Sequence, residues 1–199
     1  MRAVWVDAGT DADYTKLRGY AITSPYYACT DPRVTRAYLD GVRAAGFHPG
    51  IYAAWNWQPN LDGTEFAEWL SSELARITEG TNTPDHPRVC IDIETHDIAY
   101  IIAFLHRWRR LRPHKTTDWT LEPFQGGLFG PVSVSAIHQA EVGIVPQHYT
   151  GSMEPVAADR VVLDLVRAGF YSTRLWGFYD GAHLPRRWEG YIFTEGRLP

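Results

Sequence analysis

The chain has 199 residues, 45% of them hydrophobic and 21% charged. That composition suits one ordinary globular core and excludes intrinsic disorder, and the length sits at the short end for a closed eight-stranded α/β barrel. A net charge of −4 lacks the lysine and arginine excess of a phosphate-binding surface, so no nucleic-acid partner is expected.

The first strand is predicted at residues 3–8 and the second at 20–27, with only a short helical stretch around Tyr14 and Leu17 between them. Asp31-Pro32 then opens a helix, with Asp as N-cap and Pro at the first helical position. Val34, Tyr38, Val42 and Ala45 would form the buried stripe of this helix, and Gly46 would stop it. A third strand is expected at 49–56, followed by a helix over about 64–77 with Phe66, Leu70, Leu74 and Ile77 on one face.

The fourth strand, 88–95, is the clearest. Asp97 can cap the next helix, whose stripe is Ile101, Leu105 and Trp108. The basic run Arg107-Trp108-Arg109-Arg110 with Arg112 falls late in that helix, where cations favour the negative end of its dipole. Further strands are predicted at 117–124, 144–150, 174–180 and 189–194, with helices at 131–141 and from Asp159 to Gly169. Alternating strands and helices signal a parallel sheet covered by helices. Eight strands in order make a compact α/β fold, a (β/α)8 TIM-like barrel, the first expectation. The short connections after the first and seventh strands leave a trimmed or incompletely closed barrel as the alternative. No linker or repeat divides residues 1–199, so one domain is expected.

Two cysteines, Cys29 and Cys90, are too few for a disulfide framework, and Cys90 falls in a strand that reads as buried, so no disulfide is expected. No Cys or His spacing matches a zinc site. The chain enters a strand almost at once and contains no apolar run long enough to span a bilayer. Synthesis in the cytoplasm without a signal peptide, and no membrane insertion, are the corresponding expectations.

In a barrel of this kind ligands bind at the C-terminal ends of the strands. In Val89-Cys90-Ile91-Asp92-Ile93-Glu94, alternation puts Cys90, Asp92 and Glu94 on one face and the three apolar residues on the other. The apolar face must meet the helices, so Asp92 and Glu94 point inward, with Glu94 at the mouth. By the same logic Trp5 and Asp7 face inward from the first strand. Acids placed this close are costly to bury unless paired, hydrogen-bonded or functional. Neighbouring like charges push their pKa values apart, leaving one carboxyl protonated beside an ionised one, as glycoside hydrolysis requires. The plainer alternative is that they tie strand ends together through hydrogen bonds.

Further candidates for binding substrate lie at later strand ends: Glu122, Gln147, Tyr149 and Asp180, although Asp180-Gly181 also suits a turn. Trp55, Trp57 and Trp119 could line a sugar trough or pack in the wall. Dinucleotide, P-loop, zinc-protease and nucleophile-elbow motifs are missing, and no cofactor is expected. A divalent cation on Asp7, Asp92 and Glu94 stays open as a third reading, a metal-dependent hydrolase.

Val4-Trp5-Val6-Asp7 together with Cys90-Ile91-Asp92-Ile93-Glu94 resembles the lysozyme-like barrels of glycoside hydrolase family 25. In that family an Asp ends the first strand and an Asp-x-Glu ends the fourth. The resemblance implies Glu94 as catalytic acid, with Asp7 and Asp92 as supporting carboxylates. The segments Trp119-Thr120-Leu121-Glu122, Pro146-Gln147-His148-Tyr149 and Phe178-Tyr179-Asp180-Gly181 also resemble barrel domains of minor tail proteins from bacteriophages of actinobacteria. Two functions are therefore carried forward. One is a virion-associated hydrolase of cell-wall polysaccharide. The other is an inactive barrel serving as a tail structural or receptor-binding protein, with other virion tail proteins as partners.

Overall fold

The computed structural model describes residues 2–78, 87–93, 95, 97–112, 117–121, 139, 142–148, 176–179 and 190–194. Eight parallel strands close into one barrel in chain order: β1 (Arg2–Val6), β2 (Ser24–Ala28), β3 (Gly50–Ala54), β4 (Arg88–Asp92), β5 (Thr117–Leu121), β6 (Val142–His148), β7 (Trp176–Tyr179) and β8 (Gly190–Thr194). β8 pairs with β1 through Ile192 opposite Ala3 and Thr194 opposite Trp5, so the sheet has no open edge. This is the TIM-type α/β barrel, and the incompletely closed alternative is corrected by that pairing.

Period-2 alternation separates two cores. Val4, Val6, Tyr27, Ile51, Ala53, Val89 and Ile91 face outward and bury against the helices. Ala3, Tyr26, Ala28, Tyr52 and Cys90 fill the inside, with Trp5 and Trp57 packed on them. Gly50 also lies on the inward parity, and a Cβ there would strike the ring of Tyr26. The missing side chain therefore makes room for a tyrosine inside the barrel. Cys29 and Cys90 are both buried free thiols.

Four described helices cover the outer face: α1 (Tyr14–Gly19), α2 (Arg36–Ala44), α3 (Gly63–Ile77) and α4 (Ile98–Leu111). α3 carries Phe66, Leu70, Leu74 and Ile77 inward, as its 3.6-residue spacing predicts. It opens with a capping box in which Asp62 accepts from the Glu65 amide at 2.9 Å and Glu65 accepts from the Asp62 amide at 3.0 Å. Asp97 caps α4 by accepting from Ala99 and Tyr100, and Ile101, Phe104, Leu105 and Trp108 are buried.

Two arginines of the basic run are engaged within the fold. Arg107 donates to Glu68 of α3 at 2.8 Å, and Arg112 donates to the Ser71 carbonyl at 2.6 Å. Arg109 and Arg110 occupy the last turn of α4, where the helix dipole favours cations. No helix of the described residues is long and apolar enough to cross a membrane.

The expected start of α2 is wrong. Its N-cap is Thr35, whose hydroxyl accepts from the Tyr38 amide, and its buried residues are Leu39 and Val42. Asp31, Pro32 and Val34 precede the helix. Gly46 does end this segment, in a left-handed conformation with φ +88°. The third strand also stops earlier than expected, because Trp55–Trp57 form a 3-10 turn. The helices expected at 131–141 and from Asp159 lie outside the described residues, residue 139 apart.

Candidate functional site at the barrel mouth

β1 ends at Val6, and Asp7 is the first residue beyond it, exposed at the C-terminal end of the barrel. A turn follows at once. The Asp7 carbonyl accepts from both the amide and the hydroxyl of Thr10, at 3.1 and 2.7 Å. Gly9 supplies the left-handed conformation this turn needs, with φ +83°. Asp92 is the last residue of β4 and is half-buried. It lies in register with Ala54 of β3 and Thr120 of β5.

Below these acids lies a layer of aromatic rings. Trp5 and Tyr52 stack at 4.8 Å between centroids with planes 5° apart, and Trp57 leans on Tyr52 at 5.5 Å. The 3-10 turn after β3 brings Trp57 back over the barrel interior. Tyr52 donates its phenol proton to the Val6 carbonyl at 3.3 Å. Burial, reinforced by the negative charge of Asp7, pushes the Tyr52 phenol up to about 12. It therefore stays neutral and remains a donor throughout the working range of most proteins.

Trp55, one of the predicted sugar-binding rings, packs edge-on against Tyr100 of α4 at 6.4 Å and joins the outer core. Trp119 lies in β5, in register with Ile91 of β4 and Ile144 of β6. Gln147 lies in β6, in register with Phe178. Glu94, Glu122, Tyr149 and Asp180 fall outside the described residues. Sequence reasoning missed Tyr52, although the alternation that singled out Asp92 also puts Gly50, Tyr52 and Ala54 on one face of β3.

The loop that bears Asp7 is gripped from the side. Asp31, expected to cap α2, instead accepts from the Gly9 amide at 2.9 Å and from Nη2 of Arg33 at 2.8 Å. The Arg33 guanidinium beside it, then the Gly9 and Arg33 amides, hold the Asp31 carboxyl well below the usual carboxylate range despite its burial. A depressed folded-state pKa means stabilisation that is present above the unfolded value and lost as the pH falls through the folded one. Thermal unfolding should therefore show a gap between the native protein and Asp31→Asn that is full above about pH 4 and closes in stronger acid. A gap independent of pH would show that the charge of Asp31 contributes nothing.

Among the described residues no group of three or more His, Cys, Asp or Glu is arranged to hold a metal ion. The conceivable cage of Asp7, Asp92 and Glu94 includes a residue outside that set.

No family model matches the chain, and no curated protein matches it. Solved structures do. The catalytic domain of a mannanase from Streptomyces sp. SirexAA-E superposes with a TM-score of 0.65 at 11% identity, covering 97% of this chain and 74% of that one. A GH18 chitinase from Pseudoalteromonas aurantia gives 0.63 at 11% identity, covering 98% and 93%. A xylose isomerase domain protein from Planctomyces limnophilus gives 0.55 at 11%, covering 98% and 90%. The chain shares their barrel. At such identities the likeness is one of fold, and the fold hosts many chemistries.

Proposed function

We propose that this protein is a glycan-directed hydrolase that uses the carboxylates at the barrel mouth. The observation that carries the reading is the placement of Asp7 and Asp92 at the C-terminal ends of β1 and β4, beside the half-buried rings of Trp5 and Trp57, which pack on the buried Tyr52. Flat amphipathic rings beside acids suit a sugar, whose axial C–H face stacks while its hydroxyls hydrogen-bond. Two of the solved barrels that resemble it, a mannanase and a chitinase, are consistent with that substrate class.

In this mechanism Glu94 protonates the glycosidic oxygen as the bond from the anomeric carbon breaks. Asp92 and Asp7 stabilise the positive charge that develops on the sugar ring. Water completes the reaction, giving a hydroxyl to the anomeric carbon and returning a proton to Glu94. A direct nucleophile needs carboxyl groups about 5–5.5 Å apart, and a water-mediated inverting site roughly 6.5–9.5 Å. The polymer proposed is cell-wall polysaccharide. Delivery by a phage virion, where a barrel that binds without turnover would also serve, rests on the sequence resemblance alone.

Backbone amide shifts test the binding half of this reading. Soluble oligosaccharides from actinobacterial cell wall should perturb Asp7, Tyr52, Trp57 and Asp92 while leaving the outer faces of α3 and α4 unmoved. Perturbation confined to the helices, or none across a broad panel of wall glycans, would overturn it.

A further inference from the structure

Asp31, in the loop after β2, bonds to the loop after β1. Asp31 is only 7% exposed, and both of its carboxylate oxygens are engaged. Oδ2 takes the Gly9 amide and Nη2 of Arg33, while Oδ1 takes the Arg33 amide at 2.9 Å and its Nε at 3.1 Å. Arg33 reaches onward from the same fork. Its Nη2 donates to the Thr10 carbonyl at 2.9 Å, and its Nη1 lies 3.5 Å from Asp11. Thr10 in turn closes the turn on the Asp7 carbonyl. One connected set of hydrogen bonds thus runs from a buried carboxylate to the backbone of Asp7.

We propose that Asp31 and Arg33 are positioning residues that fix the loop carrying Asp7 at the mouth of the barrel. The inference rests on Asp7 belonging to the functional site. The pair stabilises the fold only as far as its charge is satisfied: a buried carboxylate is costly unless hydrogen-bonded, and here the Gly9 amide and the Arg33 fork meet that cost. Arg33 is 42% exposed, so solvent screens much of the attraction. What the pair supplies is direction: a planar fork meets a carboxylate at fixed angles and leaves donors for a particular carbonyl. The Gly9 amide reaches Asp31 from a left-handed backbone that other residues rarely adopt.

The test compares native protein with Asp31→Ala, Asp31→Asn and Arg33→Gln by amide hydrogen exchange and by the carboxyl carbon resonance of Asp7. Asp31→Ala should speed exchange at Gly9 and Thr10 by roughly tenfold or more and move the Asp7 resonance, while Phe66 and Leu70 of α3 keep their protection. Asp31→Asn keeps one acceptor and should give a smaller change in the same direction. Unaltered signals at Gly9, Thr10 and Asp7 would overturn the proposal, as would loosening that spreads equally to α3. If Asp31→Ala does not fold, the other two variants decide by the same signals.

Where wall polysaccharide is hydrolysed, Asp31→Ala should lower kcat with KM within about twofold. It should also add nothing to the loss caused by Asp7→Asn, because both act through one group. Full additivity would count against positioning. An absence of hydrolysis by native protein would sink the proposed chemistry while leaving the exchange and resonance results to decide the clamp.

Discussion

Gly63→Ala should destabilise the protein by about 3 kcal/mol, whereas Gly41→Ala should stabilise it by roughly 0.5–1 kcal/mol. Both glycines are helical, and propensity alone predicts a gain for each. Their surroundings differ. A Cβ on Gly63 would collide with the Tyr100 carbonyl oxygen and come within 2.9 Å of the Phe104 nitrogen. These are backbone atoms of α4, so no rotamer change relieves the clash and the first turn of α3 must move away. That movement would disturb the packing of Phe66 on Phe104 and the capping box at Asp62. A Cβ on Gly41 meets nothing within 4 Å. Urea denaturation of the two variants measures both effects. A neutral Gly63→Ala would show that α3 and α4 do not cross as closely as described.

Sequence reasoning succeeds where the determining contacts are local and stops where they are not. Alternation in Val89-Cys90-Ile91-Asp92 was enough to divide β4 between helix-facing and interior residues, because a strand buried on both sides leaves little choice. The stripe of α3 and the cap at Asp97 were equally legible, since both depend on residues within one or two turns. Asp31 was misread because its local context, an acid before proline, is that of a helix N-cap. Its actual partner, the Gly9 amide, lies 22 residues away and nothing local reveals it. Thr35 held the real cap.

The site was legible in part for the same reason. Asp7 and Asp92 follow from strand ends, which period-2 patterns locate to within a residue or two. The ring layer needed the third dimension: Trp57 reaches Tyr52 only because Trp55–Trp57 turn as a 3-10 segment. Trp55 and Trp57 look equivalent in the sequence and differ in the fold: both touch the outer core, and Trp57 also packs on the interior cluster.

Glu94→Gln carries the other large expected effect. The amide keeps the size of the side chain and its capacity to hydrogen-bond, so folding and oligosaccharide binding should change little. It has no proton to give to a leaving oxygen. Losing a general acid typically costs 10²–10⁴-fold in rate, with about 10³-fold expected here. The loss should fall on kcat, with KM nearly unchanged, because the proton transfer belongs to the transition state.

The decisive measurement is the release of new reducing ends from actinobacterial cell-wall polysaccharide by native protein and by folded Glu94→Gln in parallel. Release by the native protein that disappears in the variant is the predicted result and makes Glu94 the acid of a glycosidase. Equal release by both would remove Glu94 from the mechanism. No release by either across a broad panel of wall polymers would contradict hydrolysis and leave a barrel that binds without cutting.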